Sequence, residues 1–478
     1  IVSPDRTPHP AMAEVKYVHQ NVAFEPVDPA NGKFLVKNRF YFTNLQKYMI
    51  SYTIKANGKT VKGGKMSVNV EPQGSKEITI PVSGLKSKPG TEYFIYFNVT
   101  TTEPEPLIPV GHEIAYEQFR LPVEPGERTF ATGGPTLKVS AEGNELSASS
   151  SKVSFVFDKK TGLVSSYKVG GTEYFKDGFG LQPNFWRAPN DNDYGNGNPK
   201  RLQVWKQSSK NFNVVDANIV MDGKDAVLTA NYLLAAGNLY IVTYRIHPSG
   251  VVKADFTFTS TDMEAAKTEA SEATLMATFT PGSDAARKAA SKLEVPRIGV
   301  RFRLPAEMNQ VEYFGRGPEE NYVDRNAGTL IDLYKTTADN MYFPYVRPQE
   351  NGHHTDTRWL TLNKKGGKGL TIYADKTIGF NALRNSVEDF DGEETVSRPY
   401  QWLNRDAGEL VHDESKAKDQ LPRKTHINDI SPRNFVEVCV DMKQQGVAGY
   451  NSWGARPEPG YNIPANQEYK WGFTIVPR

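Results

Sequence analysis

Short runs in which apolar and polar residues alternate are the feature that most constrains the fold of this chain. A period of two places every second side chain on one face of a β-strand, whereas a helix needs a period of about 3.6 residues. Turn residues separate the runs, and Asn57-Gly58 is a pair that favours a two-residue hairpin turn. The pattern predicts an all-β protein built mainly of antiparallel strands. The clearest runs are 48–54, 153–157, 242–246, 252–258, 436–440 and 469–475.

The charge and cysteine content exclude several function classes. The 57 Lys and Arg residues balance 55 Asp and Glu, for a net charge of +2, which argues against a dedicated nucleic-acid binder. No apolar stretch approaches the ~18 residues of a membrane span, so we expect a soluble protein. The single cysteine, Cys439, excludes an intramolecular disulfide and a zinc site built on several thiolates. We expect it to be a small buried residue.

The distribution of glycine and proline predicts the domain organisation. Residues 123–135 are rich in both and poor in apolar residues, so we predict a linker there. Residues 17–122 hold about seven short strands, which is typical of an immunoglobulin-like β-sandwich. Residues 136–478 hold too many strands for one small sandwich and predict a larger double-sheet domain. The segment 1–16 is predicted to form a turn and a short helix, and the Ala-, Lys- and Glu-rich stretch 262–293 a surface excursion.

Five motifs follow one another in a fixed order along the chain. They are Asp5-Arg6-Thr7-Pro8-His9-Pro10-Ala11, then Phe185-Trp186-Arg187-Ala188-Pro189-Asn190-Asp191-Asn192-Asp193-Tyr194-Gly195, then Tyr313-Phe314-Gly315-Arg316-Gly317-Pro318-Glu319-Glu320-Asn321-Tyr322 with Asp324-Arg325, then Met341-Tyr342-Phe343-Pro344-Tyr345-Val346 with Pro348 and Glu350-Asn351-Gly352, and finally Ser452-Trp453. In this order they resemble the C-terminal half of the large β-galactosidases of glycoside hydrolase family 2. The first motif is similar to the segment that follows the catalytic barrel in that family. Five ordered motifs are far more specific than any one alone.

The resemblance implies a fold, an activity and partners. It implies an immunoglobulin-like β-sandwich followed by a large antiparallel β-supersandwich of the galactose-mutarotase type, in agreement with the strand pattern. Residues 1–16 would then be a post-barrel linker and residues 136–478 the C-terminal supersandwich domain. The implied parent enzyme hydrolyses terminal β-galactosides with retention. The implied partners are β-galactoside sugars, the catalytic barrel of the same polypeptide and, as is frequent in the family, further copies in a homo-oligomer.

The catalytic residues of such an enzyme are expected outside this chain. Retaining hydrolysis uses two carboxyl groups about 5–5.5 Å apart, which the family carries as glutamates on a (β/α)8 barrel of roughly 250 residues. Nothing here alternates strand and helix in that way, and the single Asn-Glu pair, Asn144-Glu145, predicts a surface hairpin. We therefore expect no catalytic residue, no cofactor and no hydrolysis in this chain alone, with the Mg and Na of the parent on the barrel. The start at Ile1 rather than Met indicates either a removed leader or a chain cut from something longer, and the compartment, cytoplasmic or periplasmic, stays open.

The resemblance carries over three residues as substrate contacts. The family places a tryptophan of its last domain in the substrate pocket, and Trp453 matches that position. An indole offers a large apolar face and one N–H, which suits stacking on a sugar ring. Gly195 and Asn196 begin a Gly- and Asn-rich loop that matches the family loop bordering the pocket, and glycine permits its movement. The expected role of the chain is to wall the pocket and support the barrel.

Other residue clusters leave alternatives open. Asp191 and Asp193 could bind a cation through oxygen ligands, or cap turns with their side chains. His353 and His354 near Glu350 could resemble the acid–base pair of an aldose 1-epimerase, although neighbours on a strand point to opposite faces. A stand-alone carbohydrate-binding protein, which holds glycans on aromatic surfaces without chemistry, also fits the two predicted domains.

Overall fold

The computed structural model of the chain describes residues 2–259, 294–391, 403–404, 409–410, 426–447, 449–451 and 454–478. The predicted surface excursion at 262–293 lies outside the described residues. Within them, no helix combines the length and the apolar composition that a membrane crossing requires.

Antiparallel strands dominate the described chain, and its helices are short. The α-helices are α1 (Ala11–Val18), α2 (Asp191–Gly195), α3 (Asn198–Arg201), α4 (Gln203–Ser208) and α5 (Val387–Phe390). Short 3-10 helices lie at Pro29–Asn31, Leu45–Lys47, Lys176–Gly178, Ile427–Asp429 and Pro459–Tyr461. The strands are β1 (Val22–Asp28), β2 (Lys33–Asn38), β3 (Tyr48–Ala56), β4 (Lys59–Met66), β5 (Ser75–Thr79), β6 (Tyr93–Thr101), β7 (Glu113–Arg120), β8 (Lys138–Glu142), β9 (Glu145–Ser149), β10 (Val153–Asp158), β11 (Leu163–Val169), β12 (Thr172–Glu173), β13 (Gln182–Asn184), β14 (Asn213–Asp222), β15 (Asp225–Leu233), β16 (Leu239–Ile246), β17 (Val252–Thr259), β18 (Arg297–Pro305), β19 (Gln310–Gly317), β20 (Leu330–Thr337), β21 (His354–Asn363), β22 (Gly369–Leu383), β23 (Leu403–Asn404), β24 (Glu409–Leu410), β25 (Phe435–Gln444) and β26 (Tyr469–Pro477).

Strands β1 to β7 form two antiparallel sheets, of order β1-β2-β5 and β4-β3-β6-β7. Their inward side chains share one apolar core, in which the Phe97 ring stacks on Phe24 at 4.4 Å and meets Phe34 edge-on at 5.1 Å between ring centroids. Asn57 and Gly58 join β3 to β4 with φ angles of 44° and 81°, as the predicted hairpin turn requires. Seven strands in two packed sheets confirm the predicted immunoglobulin-like β-sandwich.

The rest of the chain packs a small sheet on a large one. The small sheet has the order β12-β11-β10-β9-β8, and the main path of a 12-stranded sheet runs β13-β18-β25-β22-β26-β17-β16-β15-β14. The predicted inward residues of β10, Val153, Phe155 and Phe157, are at most 1% exposed. Phe155 lies 5.5 Å from Tyr244 of the large sheet, measured between ring centroids, so the two sheets share one core. The prediction of an all-β chain with a large antiparallel β-supersandwich is confirmed.

The two sandwiches meet at β20, an edge strand that pairs with β19 alone among the described strands. The side-chain amide of Gln118 accepts from the Ile331 N–H at 2.9 Å and donates to the Ile331 carbonyl at 2.7 Å. It therefore takes the place of a neighbouring strand's peptide group at Ile331 and satisfies the free edge at that one residue. The Tyr96 hydroxyl donates to the same carbonyl. Because β20 directly follows the loop 318–329, this junction holds the end of that loop.

Candidate functional site

The motif around Asn190 builds a rigid turn at the start of α2. The Asn190 side chain accepts from the Asp193 N–H at 2.8 Å, and the Asp193 carboxylate accepts from the Asn190 N–H at 3.1 Å. This reciprocal capping box satisfies two N–H groups of the helix start. Arg187 donates to both oxygens of the Asp193 carboxylate at 3.0 Å, with both side chains at most 4% exposed. Asp193 is thus a cap and an ion-pair partner, and the described residues contain no group of three or more His, Cys, Asp or Glu arranged to hold a metal.

The predicted substrate residues Gly195 and Asn196 lie at the opposite end of α2. The Asn196 side-chain carbonyl accepts from the Asn198 N–H at 3.1 Å, which closes the turn into α3. Gly454 packs directly on this turn: a Cβ at its position would collide with the Gly195 backbone and lie 2.8 Å from the Asn196 nitrogen. The backbone at Gly454 therefore lies so close to the turn after α2 that a larger side chain has no room at this position.

Trp453, the third predicted substrate contact, lies outside the described residues. Asn451 and Gly454, which flank the pair 452–453, are described, and they lie beside α2 and the turn that follows it. Gly454 packs on that turn, and the Asn451 carbonyl accepts from the Asn192 side chain at 3.1 Å. The structure thus brings Gly195 and Asn196 together with residues that flank Trp453 in the sequence, while the contact of all three with substrate stays a prediction.

The loop after β19 carries the second acidic motif, and the Glu320 carboxylate of this motif is engaged in the protein. Glu320 is 6% exposed and pairs with Arg325 at 3.0 Å. It also accepts from the Gly352 N–H at 2.6 Å and from the Tyr345 hydroxyl. In the small sheet, Asn144-Glu145 forms the predicted hairpin between β8 and β9, with an exposed Glu145.

His353, directly before β21, and His354, its first residue, are both buried and face different surroundings. The His353 Nδ1 lies 3.6 Å from the Asp441 carboxylate. The two ring nitrogens of His354 lie 3.0 and 3.1 Å from the carbonyls of Gly352 and Pro318. Burial lowers the pKa of both imidazoles. The two side chains therefore do not form a pair in one cavity.

Sequence reasoning missed a buried charged cluster centred on Arg297. Its guanidinium donates to Glu350 at 2.8 Å and to Gln444 at 2.9 Å, and lies 3.3 Å from the Asp441 carboxylate. Burial raises the pKa of Glu350, and it raises the pKa of Asp441 to about 7. An arginine inside the apolar run 295–302 is the sequence signal for such a cluster, because a buried charge requires a partner.

Known proteins match the chain over nearly all of its length. Residues 149–475 match the family profile described as β-galactosidase small chain, and residues 34–122 match that of β-galactosidase, domain 4. The β-galactosidase of Priestia megaterium is 30% identical over 480 residues, which cover 100% of this chain and 40% of that protein. The β-galactosidase of Halalkalibacterium halodurans is 26% identical and covered to 41%. A galactose 1-epimerase structure from Lactobacillus acidophilus covers 72% of this chain, and this chain covers 98% of it, at 7% identity and a TM-score of 0.32.

The chain spans about 40% of the length of these curated relatives. The small-chain profile spans well over half of the chain, and it includes both the α2 motif and the loop after β19. The chain therefore belongs to the β-galactosidase small-chain family.

Proposed function

We propose that this chain is the non-catalytic C-terminal portion of a β-galactosidase that hydrolyses terminal β-galactosides with retention. Its role is to wall the substrate pocket and to support a catalytic barrel in the remaining part of the polypeptide. Two facts support the proposal: the curated relatives are β-galactosidases of which the chain covers about 40%, and the strands of the described residues form antiparallel sheets, without the alternation of strand and helix that a (β/α)8 barrel requires. The same coverage favours this role over that of a stand-alone carbohydrate-binding protein.

The contact of Gly454 with the turn at Gly195 and Asn196 is the observation that carries the proposal. The resemblance implies that both segments border the substrate, and the hydrogen bond between Asn192 and Asn451 joins them across 259 residues of sequence. We propose that Trp453 stacks on the galactose ring and that the turn at Gly195 and Asn196 borders it. An indole in this role contributes an apolar face to the sugar C–H groups and no proton transfer.

The Mg and Na ions that the resemblance implies do not fit the buried carboxylates of the described motifs. Asp193, Glu320 and Glu350 each pair with an arginine at 2.8 to 3.0 Å. A carboxylate engaged by a guanidinium is a poor ligand for a hard cation, which needs several free oxygens. We therefore propose that these ions bind to the remaining part of the polypeptide.

Release of nitrophenol from a nitrophenyl β-galactoside tests the proposal. The purified chain should release none, whereas the full-length polypeptide of the same gene should be active. In the full-length protein, Trp453→Ala should lower kcat/KM by at least about tenfold, or ~1.4 kcal/mol of transition-state binding. Trp359→Phe, at the junction of the two sandwiches, is the matched control and should leave the kinetics unchanged.

Hydrolysis by the chain alone would overturn the proposal. The reacting carboxyl groups would then be sought first at Glu319, Glu320 and Glu350, which lie on or near the loop after β19. Replacement of each by glutamine would identify the pair, since loss of either group abolishes retaining hydrolysis.

A further inference from the structure

An open groove lies where α1 meets the two sandwiches. Its volume is about 670 Å³, and it is lined mainly by residues of α1, β7 and β20 together with the segments 8–10, 317–320 and 340–343. It is here called the α1 groove. Gly195 and Asn196, which border the substrate in the proposed function, do not line it. The groove is therefore a surface separate from the proposed substrate wall.

Polar contacts hold α1 in place on both sandwiches. The Glu14 carboxylate accepts from the Gly328 N–H at 2.7 Å, just before β20 begins. Lys16 pairs with Glu113 of β7 at 2.6 Å. The walls of the groove are thus fixed without a bound partner, so a partner does not have to order them when it binds.

Several polar side chains of the groove are engaged within the protein. The Tyr116 hydroxyl donates to the Gly328 carbonyl at 2.7 Å, and the Tyr334 hydroxyl donates to the Gly317 carbonyl at 2.9 Å. Both ring nitrogens of His354 face backbone carbonyls, at 3.0 and 3.1 Å. A small polar ligand depends on a few free donors and acceptors that fix its orientation. Because these groups are already used inside the fold, the groove favours an apolar partner over a small polar ligand.

Accessible apolar side chains line the same groove. Met12, Leu330 and Phe343 are half-buried, and they belong to none of the hydrophobic cores formed by the described residues. Pro8 and Pro10 extend this apolar lining toward the start of the chain. Covering apolar surface that water still contacts is the main favourable contribution to association. The groove therefore offers an apolar seat to a protein segment.

The first described residue lies beside the groove. Val2 forms an antiparallel bridge with Pro8, which is part of the lining. The Ser3 N–H donates to the Thr7 carbonyl at 2.9 Å and closes the turn between them. The chain covers only 40% of its Priestia megaterium relative. In the proposed function the remaining polypeptide is joined at residues 1–16, so it begins next to the groove.

A covalently joined segment has an advantage over a second copy of the chain at this groove. It faces the groove at a high effective concentration set by a short linker, whereas a free copy must first be brought there from solution. We propose that the α1 groove seats an apolar segment of the polypeptide directly before residue 1, and that α1 thereby joins this part of the polypeptide to both sandwiches. The inference rests on the proposed function, because it takes the remaining polypeptide to precede residue 1.

Amide hydrogen exchange followed by mass spectrometry tests the proposal. Exchange in residues 11–18 and 340–343 should be at least about tenfold slower in the full-length polypeptide of the same gene than in the 478-residue chain, because a seated segment stabilises both walls. Met12→Glu places a charge in the apolar lining and should remove this slowing. Glutamate is a good helix former and Met12 lies outside the hydrophobic cores, so the 478-residue variant should unfold in urea as the parent chain does.

A second variant and a matched control keep the test decisive. Leu330→Gln, on another wall of the groove, should also remove the slowing, whatever the behaviour of Met12→Glu. Val110→Glu, at a valine that is 59% exposed outside the groove, is the control and should keep the slow exchange. The proposal is overturned if the two proteins exchange equally fast in these residues, or if the slowing survives both groove variants. It is also overturned if exchange in the 478-residue chain itself slows as its concentration rises, since the occupant would then be a second copy.

The nitrophenol assay separates this proposal from the proposed function. A full-length polypeptide with slow exchange in residues 11–18 and no hydrolysis would overturn the hydrolase role and leave the docking intact. Hydrolysis by the full-length polypeptide, with equally fast exchange in the two proteins, would do the reverse.

Discussion

Replacement of Asp441 by asparagine should change how the stability of this chain depends on pH. The Asp441 side chain is fully buried, 3.3 Å from the Arg297 guanidinium that also serves Glu350. One guanidinium therefore faces two carboxyl groups, and burial raises the pKa of Asp441 to about 7. In an unfolded chain the pKa of aspartate is about 4.

The sign and size of the effect follow from these two pKa values. Between about pH 4 and pH 7 the folded protein holds a proton on Asp441 that the unfolded chain has lost. The free energy of unfolding then falls as pH rises, by about 1.4 kcal/mol per pH unit and about 4 kcal/mol in total. The amide of Asp441→Asn cannot ionise, so the variant should match the parent near pH 4 and exceed its stability by up to ~4 kcal/mol at pH 8.

Urea unfolding of the parent and the variant from about pH 4 to pH 8 measures this difference. Glu350 and His353 are present in both proteins, so the difference between the two curves measures the effect of the Asp441 charge together with its coupling to these two neighbours. Asp255→Asn, which removes an exposed carboxyl on β17, is the matched control and should give a curve parallel to that of the parent. A pH-independent difference between Asp441→Asn and the parent would refute the reasoning, since it would mean that Asp441 is ionised in the folded protein across this range.

Three further substitutions test packing and pairing, each by urea unfolding together with amide hydrogen exchange. Arg187→Met leaves the buried Asp193 carboxylate without its partner and should lower the free energy of unfolding by about 3–5 kcal/mol. Gly454→Ala places a Cβ against the backbone of the turn after α2 at a φ of 115°, and should cost about 1–3 kcal/mol and speed exchange in that turn. Gln118→Ala removes both hydrogen bonds to the Ile331 peptide groups and should cost about 1–3 kcal/mol and speed exchange at the Ile331 amide. If the stability and the hydrogen exchange of any of these three variants were unchanged, the contact that the substitution tests would not have the importance assigned to it here.

Local sequence predicts those structural elements that are determined by residues close together along the chain. Alternation in Val153, Phe155 and Phe157 predicts an inward face, and all three are at most 1% exposed. The Asn57-Gly58 pair predicts a hairpin because a tight turn needs positive φ angles, and both residues adopt them. The capping side chains at the start of α2, Asn190 and Asp193, likewise lie three residues from the backbone N–H groups that they bind.

The sequence by itself therefore determined the all-β class, the hairpins, the two kinds of sandwich and, through the ordered motifs, the family. Only the tertiary structure decided which distant residues meet. Arg297 and Asp441 lie on different strands, and Gln118 reaches Ile331 across 213 residues of sequence. Residue type and spacing fix the period of a strand, because covalent geometry sets which face each side chain occupies. Partners across strands depend instead on sheet order and register, which arise when all the strands pack at once.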